Sequence, residues 1–379
     1  MNGTMGSQRD GCSGDRLRVL VSPLDWGLGH ATRVVPLVRT LTALGCGVTL
    51  AASDASRVLL AAEFPQLPML DLPGYRIRYP QKGGHFFGKM VLQLPRILYA
   101  VVREHLWLRA AMRVHRWDAV VSDNRYGLFH PRARCVILTH QVRIRTGWRV
   151  SDRLLRPLLW WVLRRFEACW VPDMPGVPNL AGALCHGRMP EHVRHIGPLS
   201  RLEVVPLPQA PCLLILLSGP EPQRTLLEGI LRGELADAGL PAVVVRGLPG
   251  TGGRMVDGSG VEWLDHVDAA GLQDLLARAT LVVARSGYST VMDLVRTGHP
   301  AVFVPTPGQP EQGYLACHLS ESGLFPYLAQ EGFRLAAALR LAGAFRGSRP
   351  AFDYGMHRAL VGAWVEDCGV AKRGRGDVG

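Results

Sequence analysis

The chain has 379 residues, 47% of them hydrophobic and 20% charged, a composition that supports a packed core and excludes a wholly disordered chain. Its length exceeds one ordinary core and suits two α/β domains of somewhat under two hundred residues each. Lys and Arg outnumber Asp and Glu by 43 to 31, a formal net charge of +12, which calls for an acidic partner or serves solubility. No zinc-finger spacing, no basic block interleaved with aromatics and no helix-turn-helix is evident, so nucleic acid gives way to a phosphorylated substrate or anionic lipid as the partner.

No continuous apolar stretch follows a basic start in the first seventeen residues, so a secretory signal is not expected and a cytosolic setting is. The apolar run Leu158 to Leu163, bracketed by arginines, is far short of the roughly 20 residues that span a bilayer. The eight cysteines form no C-x-x-C pair. Cys135, Cys169 and Cys212 lie in strand-like contexts and read as reduced core residues. The polar start, Met1 to Asp15, and the basic, Gly-rich tail after Val370 are expected to be mobile. The boundaries that follow are a flexible terminus at 1–16, a first domain at 17–200, a linker at 201–211, a second domain at 212–349, a closing helix at 350–368 that can pack back on the first domain, and a tail at 369–379.

From Leu17 onward, apolar β-rich runs alternate with helix-like stretches, the pattern of parallel sheets covered by helices. The first half offers strands at Arg18–Ser22, Gly47–Ala52, Asp118–Ser122, Arg134–Thr139 and Ala168–Val171, with a shorter one at Val193–Ile196. A long insertion from Gly74 to Trp117 carries aromatic and basic residues at helical spacings. Four prolines in "GPLSRLEVVPLPQAP" (197–211) mark the linker. The second half offers strands at Cys212–Leu217, Ala242–Arg246, Val261–Leu264, Thr280–Ala284 and Ala301–Val304. Both halves read as doubly wound α/β units, whose ligands bind beyond the carboxyl ends of the strands.

The residues just after each strand are therefore the candidates. "PLDWGLGHATR" follows the first strand and places Gly27, Gly29, His30, Thr32 and Arg33 where a strand turns into a helix. Glycines admit close backbone approach, and the helix start offers unpaired N–H groups to an anion. Arg33 stands where the third glycine of G-x-G-x-x-G would be, which disfavours a dinucleotide. The same loop also reads as a plain capped turn. The helix dipole favours neutral His30, making it the first candidate for general base. Asp123, in "SDNRYG" with Asn124 and Arg125, either orients that imidazole, takes the proton itself, or merely caps or pairs with Arg125.

In the second half, "SGPEPQR" places Ser218 and Gly219 at the strand end and Arg224 near the next helix start, groups that suit a diphosphate. Arg246 ends the following strand and joins this set. "ARSGYSTVMDL" delivers Arg285, Ser286, Gly287, Ser289 and Thr290 together at a helix N-terminus, with Asp293 one turn on, able to accept from vicinal hydroxyls. "PTPGQPEQGYLA" sets Gln309, Glu311 and Gln312 at a loop-helix junction suited to sugar hydroxyls. A capped helix with no ligand is the plain alternative for each. Lys89–Trp117 and Arg153–Trp170 mix arginines with Leu and Trp, and read equally as interfacial helices and as core helices with snorkelling arginines.

The succession of G-x-G-H after the first strand, R-S-G-x-x-T-x-x-D/E late in the second half and P-x(5)-E/Q-Q after it resembles the MurG-like, family-28-type glycosyltransferases. The resemblance implies a GT-B fold, two Rossmann-like doubly wound domains facing a central cleft, with acceptor bound by the first and nucleotide sugar by the second. It implies that Ser218, Arg224, Ser286, Gly287, Ser289 and Thr290 hold the diphosphate, Asp293 the ribose, and Gln309, Glu311 and Gln312 the donor sugar. The segment Trp263–Val267, with Leu264 and Val267, would border the base, which the family makes uridine. Gly27, Gly29, Thr32, Arg33, Asn124 and Arg125 would face the acceptor. "DWGLGHATR", "SDNRYG" and "LTHQ" depart from the family's glycine-dense loops, which points away from a peptidoglycan precursor toward another lipid-linked or saccharide acceptor. No D-x-D and no closely paired histidines occur, so inverting chemistry without metal or other cofactor is expected. A nucleotide-sugar hydrolase or epimerase on the same fold is the first alternative, and a non-catalytic nucleotide-sugar-binding protein the second.

Overall fold

The structure is a computed structural model that describes residues 16–75, 86–146, 149–204, 212–347 and 350–376. Of the ends expected to be mobile, 1–15 and 377–379 lie outside the described residues, as do the tip of the insertion (76–85) and most of the linker (205–211), whereas 371–376 of the expected tail continue the closing helix.

Among the described residues the first domain is built on seven parallel strands: β1 (Arg18–Pro23), β2 (Gly47–Ala52), β3 (Met69–Asp71), β4 (Ala119–Asp123), β5 (Arg134–Leu138), β6 (Ala168–Val171) and β7 (Val193–His195). Their order is β3-β2-β1-β4-β5-β6-β7. Val19, Leu20 and Val21 of β1 and Ala119, Val120 and Val121 of β4 are fully buried. Helices cover both faces, which is why these strands read as continuous apolar runs and not as alternating ones. Between β1 and β4 the strand order reverses, and there Pro23 lies in register with Asp123. A doubly wound sheet opens its crevice at such a reversal. Helix α1 (Leu28–Ala43) leaves β1 on one side of it, and α2 (Asp54–Glu63) follows β2. The insertion forms one long helix, α3 (Phe86–His115), and α4 (Arg149–Leu163) precedes β6.

The second sheet orders its strands as β10-β11-β9-β8-β12-β13. These are β8 (Leu213–Leu216), β9 (Ala242–Val245), β10 (Arg254–Val256), β11 (Glu262–Leu264), β12 (Leu281–Ala284) and β13 (Ala301–Phe303). All pairings are parallel except β10 with β11. Its reversal falls between β8 and β12, where Leu216 pairs with Ala284. The helices here are α5 (Gln223–Ala238), α6 (Ala269–Arg278), α7 (Tyr288–Thr297), α8 (Pro310–Glu321) and α9 (Leu335–Ala344). Two strands went unread in the sequence, β3 and β10. Each has three residues, and those of β10 are all exposed, so no apolar run marks them.

The two sheets are not independent bodies. One buried apolar cluster runs from the first sheet through Leu199 and Leu202 to Tyr288, Met292 and Leu294 of α7, while a second is confined to the outer face of the second sheet. The closing helix α10 (Met356–Gly376) returns to the first domain. Trp364 meets Trp170 edge-on with centroids 5.2 Å apart, and Nε2 of buried His357 lies 3.2 Å from Thr40 Oγ1 on α1. Among the described residues no helix is long and apolar enough to cross a membrane.

Candidate active site

The two reversals face each other, and α1 and α7 meet there by their first turns. Gly27 caps α1 with a φ of +87°, a left-handed conformation that glycine adopts without strain. No side chain caps either helix start, so both leave N–H groups and a positive dipole end at the cleft. Ser289 Oγ donates to Gly29 O at 2.7 Å across it. A Cβ on Gly29 would lie 3.1 Å from that hydroxyl, so the absence of a side chain at Gly29 lets the two domains approach this closely.

His30 stands one residue further along α1. Its Nδ1 lies 3.0 Å from Asp123 Oδ2 and 2.9 Å from a terminal nitrogen of Arg33. An ionised carboxylate is the stronger partner, so Nδ1 carries the proton and donates to Asp123, leaving the Nε2 lone pair as the basic atom. Burial, reinforced by the Arg33 charge, holds the His30 pKa below its usual value despite Asp123. The imidazole is therefore neutral near pH 7. Asp123 is fully buried, which would raise its pKa, yet the charge of Arg33 and hydrogen bonds from His30 and Arg33 hold it below the ordinary carboxylate range. With no exposure, Asp123 is placed behind the imidazole, a geometry suited to orienting it.

Arg33 is the centre of the arrangement. Its Nε lies 3.0 and 2.9 Å from the two Asp123 oxygens, and a terminal nitrogen also donates to Asp123 Oδ1. Its other terminal nitrogen donates to His140 Nδ1 at 2.9 Å. This fixes the proton of His140 on Nε2, which donates to Glu311 Oε1 of the opposite domain at 2.6 Å. The His140 ring lies flat on Tyr288, with centroids 4.3 Å apart and planes 6° from parallel. Burial pushes Glu311 upward, but His140, and beyond it His30 and Arg33, bring its pKa below the usual value. One connected network thus runs from Asp123 through Arg33 and His140 to Glu311, with His30 at its solvent edge.

Other expectations about site residues need correction. Arg33, expected to face the acceptor, is only 3% exposed and is spent on Asp123 and His140. Thr32 donates to Gly29 O within its own helix. Arg125, also expected to face the acceptor, is fully buried and bonds Pro23 O and Glu104 Oε1 at 2.6 and 2.8 Å, so it braces α3 against β1. Its neighbour Asn124 has a φ of +53° and an Oδ1 without a hydrogen-bond partner, and sits beside the reversal.

On the donor side Arg285 is fully buried. Its terminal nitrogens bond Val304 O, Pro305 O, Gln223 O and Gln330 Oε1, so it ties β12 to β13 and α5 and cannot reach a diphosphate. Arg224 is held by Glu221 and Glu228, and Arg246 by Glu228 and Asp265. Both guanidiniums are already neutralised by carboxylates. Asp293 accepts from Ser200 Oγ at 2.6 Å, which joins α7 to the interdomain connection. Ser286 is buried and donates to Gln312 O, and Gln312 Oε1 accepts from Thr306 N. Ser218 and Gly219 are exposed at the end of β8, and Gly287, Ser289, Thr290, Gln309 and Glu311 are partly exposed, as are Leu264 and Val267 at and after β11. The start of α7 therefore offers backbone N–H groups, while the arginines near it are engaged by protein acceptors.

Sequence reasoning missed His140. It follows β5 by two residues, the position that drew attention to the other candidates, but its pairing with Glu311 across 171 residues left no local signal.

Residues 260–342 match the model of the glycosyltransferase family 28 C-terminal domain. The chain is 32% identical over 141 residues to the UDP-N-acetylglucosamine--N-acetylmuramyl-(pentapeptide) pyrophosphoryl-undecaprenol N-acetylglucosamine transferase of Paramagnetospirillum magneticum, a match spanning 34% of this chain and 37% of that protein. It is 45% identical over 69 residues to the enzyme of the same name from Methylorubrum extorquens, covering 17% of this chain and 19% of the relative. Among solved structures, the glycosyltransferase SnogD from Streptomyces nogalater superposes over 93% of this chain and all of its own with a TM-score of 0.60 at 17% identity. The calicheamicin glycosyltransferase CalG4 does so over 93% and 98% with a TM-score of 0.61 at 16% identity. Spinosyn rhamnosyltransferase SpnG complexed with thymidine diphosphate covers 94% and 96% with a TM-score of 0.57 at 16% identity. The expected fold, GT-B with two Rossmann-like domains about a cleft, is what these superpositions share with this chain.

Proposed function

We propose that this chain, whose second domain is a family-28 glycosyltransferase C-terminal domain on a GT-B frame, moves a hexose or N-acetylhexosamine from a UDP-sugar to a lipid-linked or saccharide acceptor. Uridine and the lipid-linked acceptor are drawn from the names of the bacterial relatives. The observation that carries the reading is the facing of a neutral His30, held by buried Asp123, toward the uncapped N-terminus of α7 across the Gly29–Ser289 contact.

In the reaction the acceptor hydroxyl oxygen attacks the anomeric carbon from the face opposite the diphosphate. His30 Nε2 takes the hydroxyl proton as the new C–O bond forms. The old C–O bond breaks and its electrons pass to the leaving diphosphate, so the anomeric configuration inverts. The backbone N–H groups at the start of α7, with the Thr290 hydroxyl, stabilise that charge, a term worth several kcal/mol in a water-poor cleft, and the step needs no metal ion. Glu311, fixed by His140, and Gln309 are placed for the hydroxyls of the donor sugar.

The first domain presents a surface for the acceptor's membrane. Val150, Leu154, Leu158 and Trp161 form a largely exposed stripe along α4, and Leu94, Leu98, Tyr99, Val102 and Leu106 another along α3. Arg165 lies over the Trp161 ring at 3.9 Å. Apolar side chains edged by arginines bind an anionic interface without crossing it.

The test incubates the full chain with labelled UDP-sugars, with and without a membrane extract. Label in a lipid or saccharide product only when extract is present supports transfer, and His30→Ala should reduce that transfer about 10²- to 10⁴-fold while nucleotide binding persists. Stoichiometric sugar release or epimer formation without acceptor would replace this reading with the hydrolase or epimerase, and binding without turnover in any mixture with the non-catalytic one.

A further inference from the structure

Away from His30, the segment between β6 and β7 gathers groups that the transfer reaction does not use. Cys185, His186 and His195 each offer one ligand atom, and these atoms all lie within 4.8 Å of one another. Cys185 is fully buried, and the two imidazoles stack with centroids 4.7 Å apart.

The surrounding hydrogen bonds have the form that metal-binding histidines need. Nε2 of His186 lies 3.2 Å from a carboxylate oxygen of Asp173, and Nε2 of His195 lies 3.2 Å from Cys185 O. Both are acceptors, so each ring carries its proton on Nε2 and keeps a lone pair on Nδ1. A carboxylate or backbone carbonyl fixing the far nitrogen of a ligating imidazole is the usual outer support of a metal site. Asp173 is itself anchored by the amides of Met174, Leu180 and Ala181, and its Oδ2 also lies 3.5 Å from Cys185 Sγ.

We propose that Cys185 Sγ and the imidazoles of His186 and His195 bind one zinc ion, which staples this segment to the edge of the first sheet. One thiolate and two neutral imidazoles make a borderline-soft set that suits zinc over magnesium or calcium. The thiol releases its proton to solvent as the sulfur–zinc bond forms. With the Asp173 carboxylate alongside, the dication meets two negative charges. Ligand atoms of a tetrahedral zinc site stand roughly 3.3 to 3.8 Å apart given bonds of about 2.0 to 2.3 Å, so a contraction of about 1 Å or a little more completes the set, and the fourth position falls to water or Asp173.

The staple has a use at the cleft. The same segment docks on α8: Ala183 N donates to Tyr314 Oη at 2.7 Å, and His318 Nε2 lies 3.3 Å from Asn179 O. A Cβ on Gly182 would stand 2.4 Å from Tyr314 Oη, so the approach is close. Helix α8 also carries Glu311, and zinc thereby fixes the wall against which that residue is held.

The experiment measures zinc in the purified full chain by elemental analysis, then removes it with chelator and titrates in Co²⁺ near pH 7.5. One zinc per chain is expected, with a thiolate-to-cobalt charge-transfer absorption saturating at one equivalent and displaced by Zn²⁺. Cys185→Ser should abolish that band, and His195→Gln should weaken cobalt binding at least 10-fold, with circular dichroism showing both variants folded. Should Cys185→Ser fail to fold, His195→Gln with the zinc measurement alone decides. A folded chain that takes up no cobalt, or whose absorption is unchanged in either folded variant, overturns the site whatever the outcome of the sugar-transfer assay.

Discussion

Replacing Asp123 with asparagine separates the two roles that the buried carboxylate combines. Asp123 and Arg33 are 0% and 2% exposed at their side chains, and the other groups on Arg33 are the imidazoles of His30 and His140, neither of them an anion. Glu311 reaches Arg33 only through His140. A neutral amide in place of the carboxylate leaves a buried guanidinium without a counter-charge, which costs about 3 to 5 kcal/mol. That is a large share of the roughly 5 to 15 kcal/mol by which a folded protein exceeds its unfolded state. Asp123→Asn should therefore lower the urea midpoint followed by tryptophan fluorescence, for which Trp117 and Trp170 are buried reporters in the first domain.

Arg33→Met in the same chain removes the stranded charge, so the double variant should recover much of the loss. The coupling in the double-mutant cycle should reach at least about 2 kcal/mol. Sugar transfer should not recover, because His30 Nδ1 still lacks the carboxylate that fixes its proton. Single and double variants should both turn over about 10²- to 10⁴-fold more slowly than the parent. An Asp123→Asn chain within about 0.5 kcal/mol of the parent, or a double variant restored in rate as well as stability, refutes the reasoning.

Three further outcomes follow from the same geometry. Because burial and Arg33 hold the His30 pKa below its usual value, kcat/KM should be flat from above about pH 6.5 and fall only at lower pH, where Nε2 gains a proton; an acid limb centred above about pH 7 contradicts this. Arg285→Ala should destabilise the chain by about 2 to 4 kcal/mol by stranding buried carbonyls, while the remaining folded fraction keeps its affinity for UDP; selective loss of UDP binding without destabilisation restores Arg285 to the donor site. Burial holds the pKa of His357, in the first turn of α10, down at about 4. Its neutral form thus supports folding fully above the unfolded value of about 6.5, and that contribution, up to roughly 3 kcal/mol, is lost as pH falls from there through about 4. His357→Gln should flatten the pH dependence of Tm over that interval, and an unchanged slope removes His357 as its source.

The strands were legible where both faces are buried. Val19 to Val21, Val120 and Val121, and Val282 and Val283 had to be apolar in unbroken runs, whereas β10 is held by backbone bonds to β11 and needs no apolar side chain. The loops beyond β1, β4 and β12 were legible for a topological reason, since a parallel sheet sends its chain ends to one edge and the order reversals then select which ends meet.

The arginines were misjudged because a guanidinium beside a strand end is compatible with a bound anion and with a buried carboxylate alike. For Arg224 the local pattern could have decided, with Glu221 three residues before it and Glu228 four after. For Arg125 and Arg33 it could not, since Glu104 comes from α3 and Asp123 lies ninety positions away.

The consequence reaches the chemistry. A cleft whose arginines all bound the diphosphate would stabilise the leaving group with full positive charges. Here Arg33 and Arg285 are locked inside their own domains, so under the proposed transfer the leaving group would depend on the fixed dipoles of α7, while Arg33 holds the His30 pKa low and anchors the Asp123 carboxylate beside it. Charge at the reacting centre is thus set by backbone geometry, and substitutions that shift the Gly29–Ser289 approach by even one methyl group should matter more than removal of any exposed arginine at the rim.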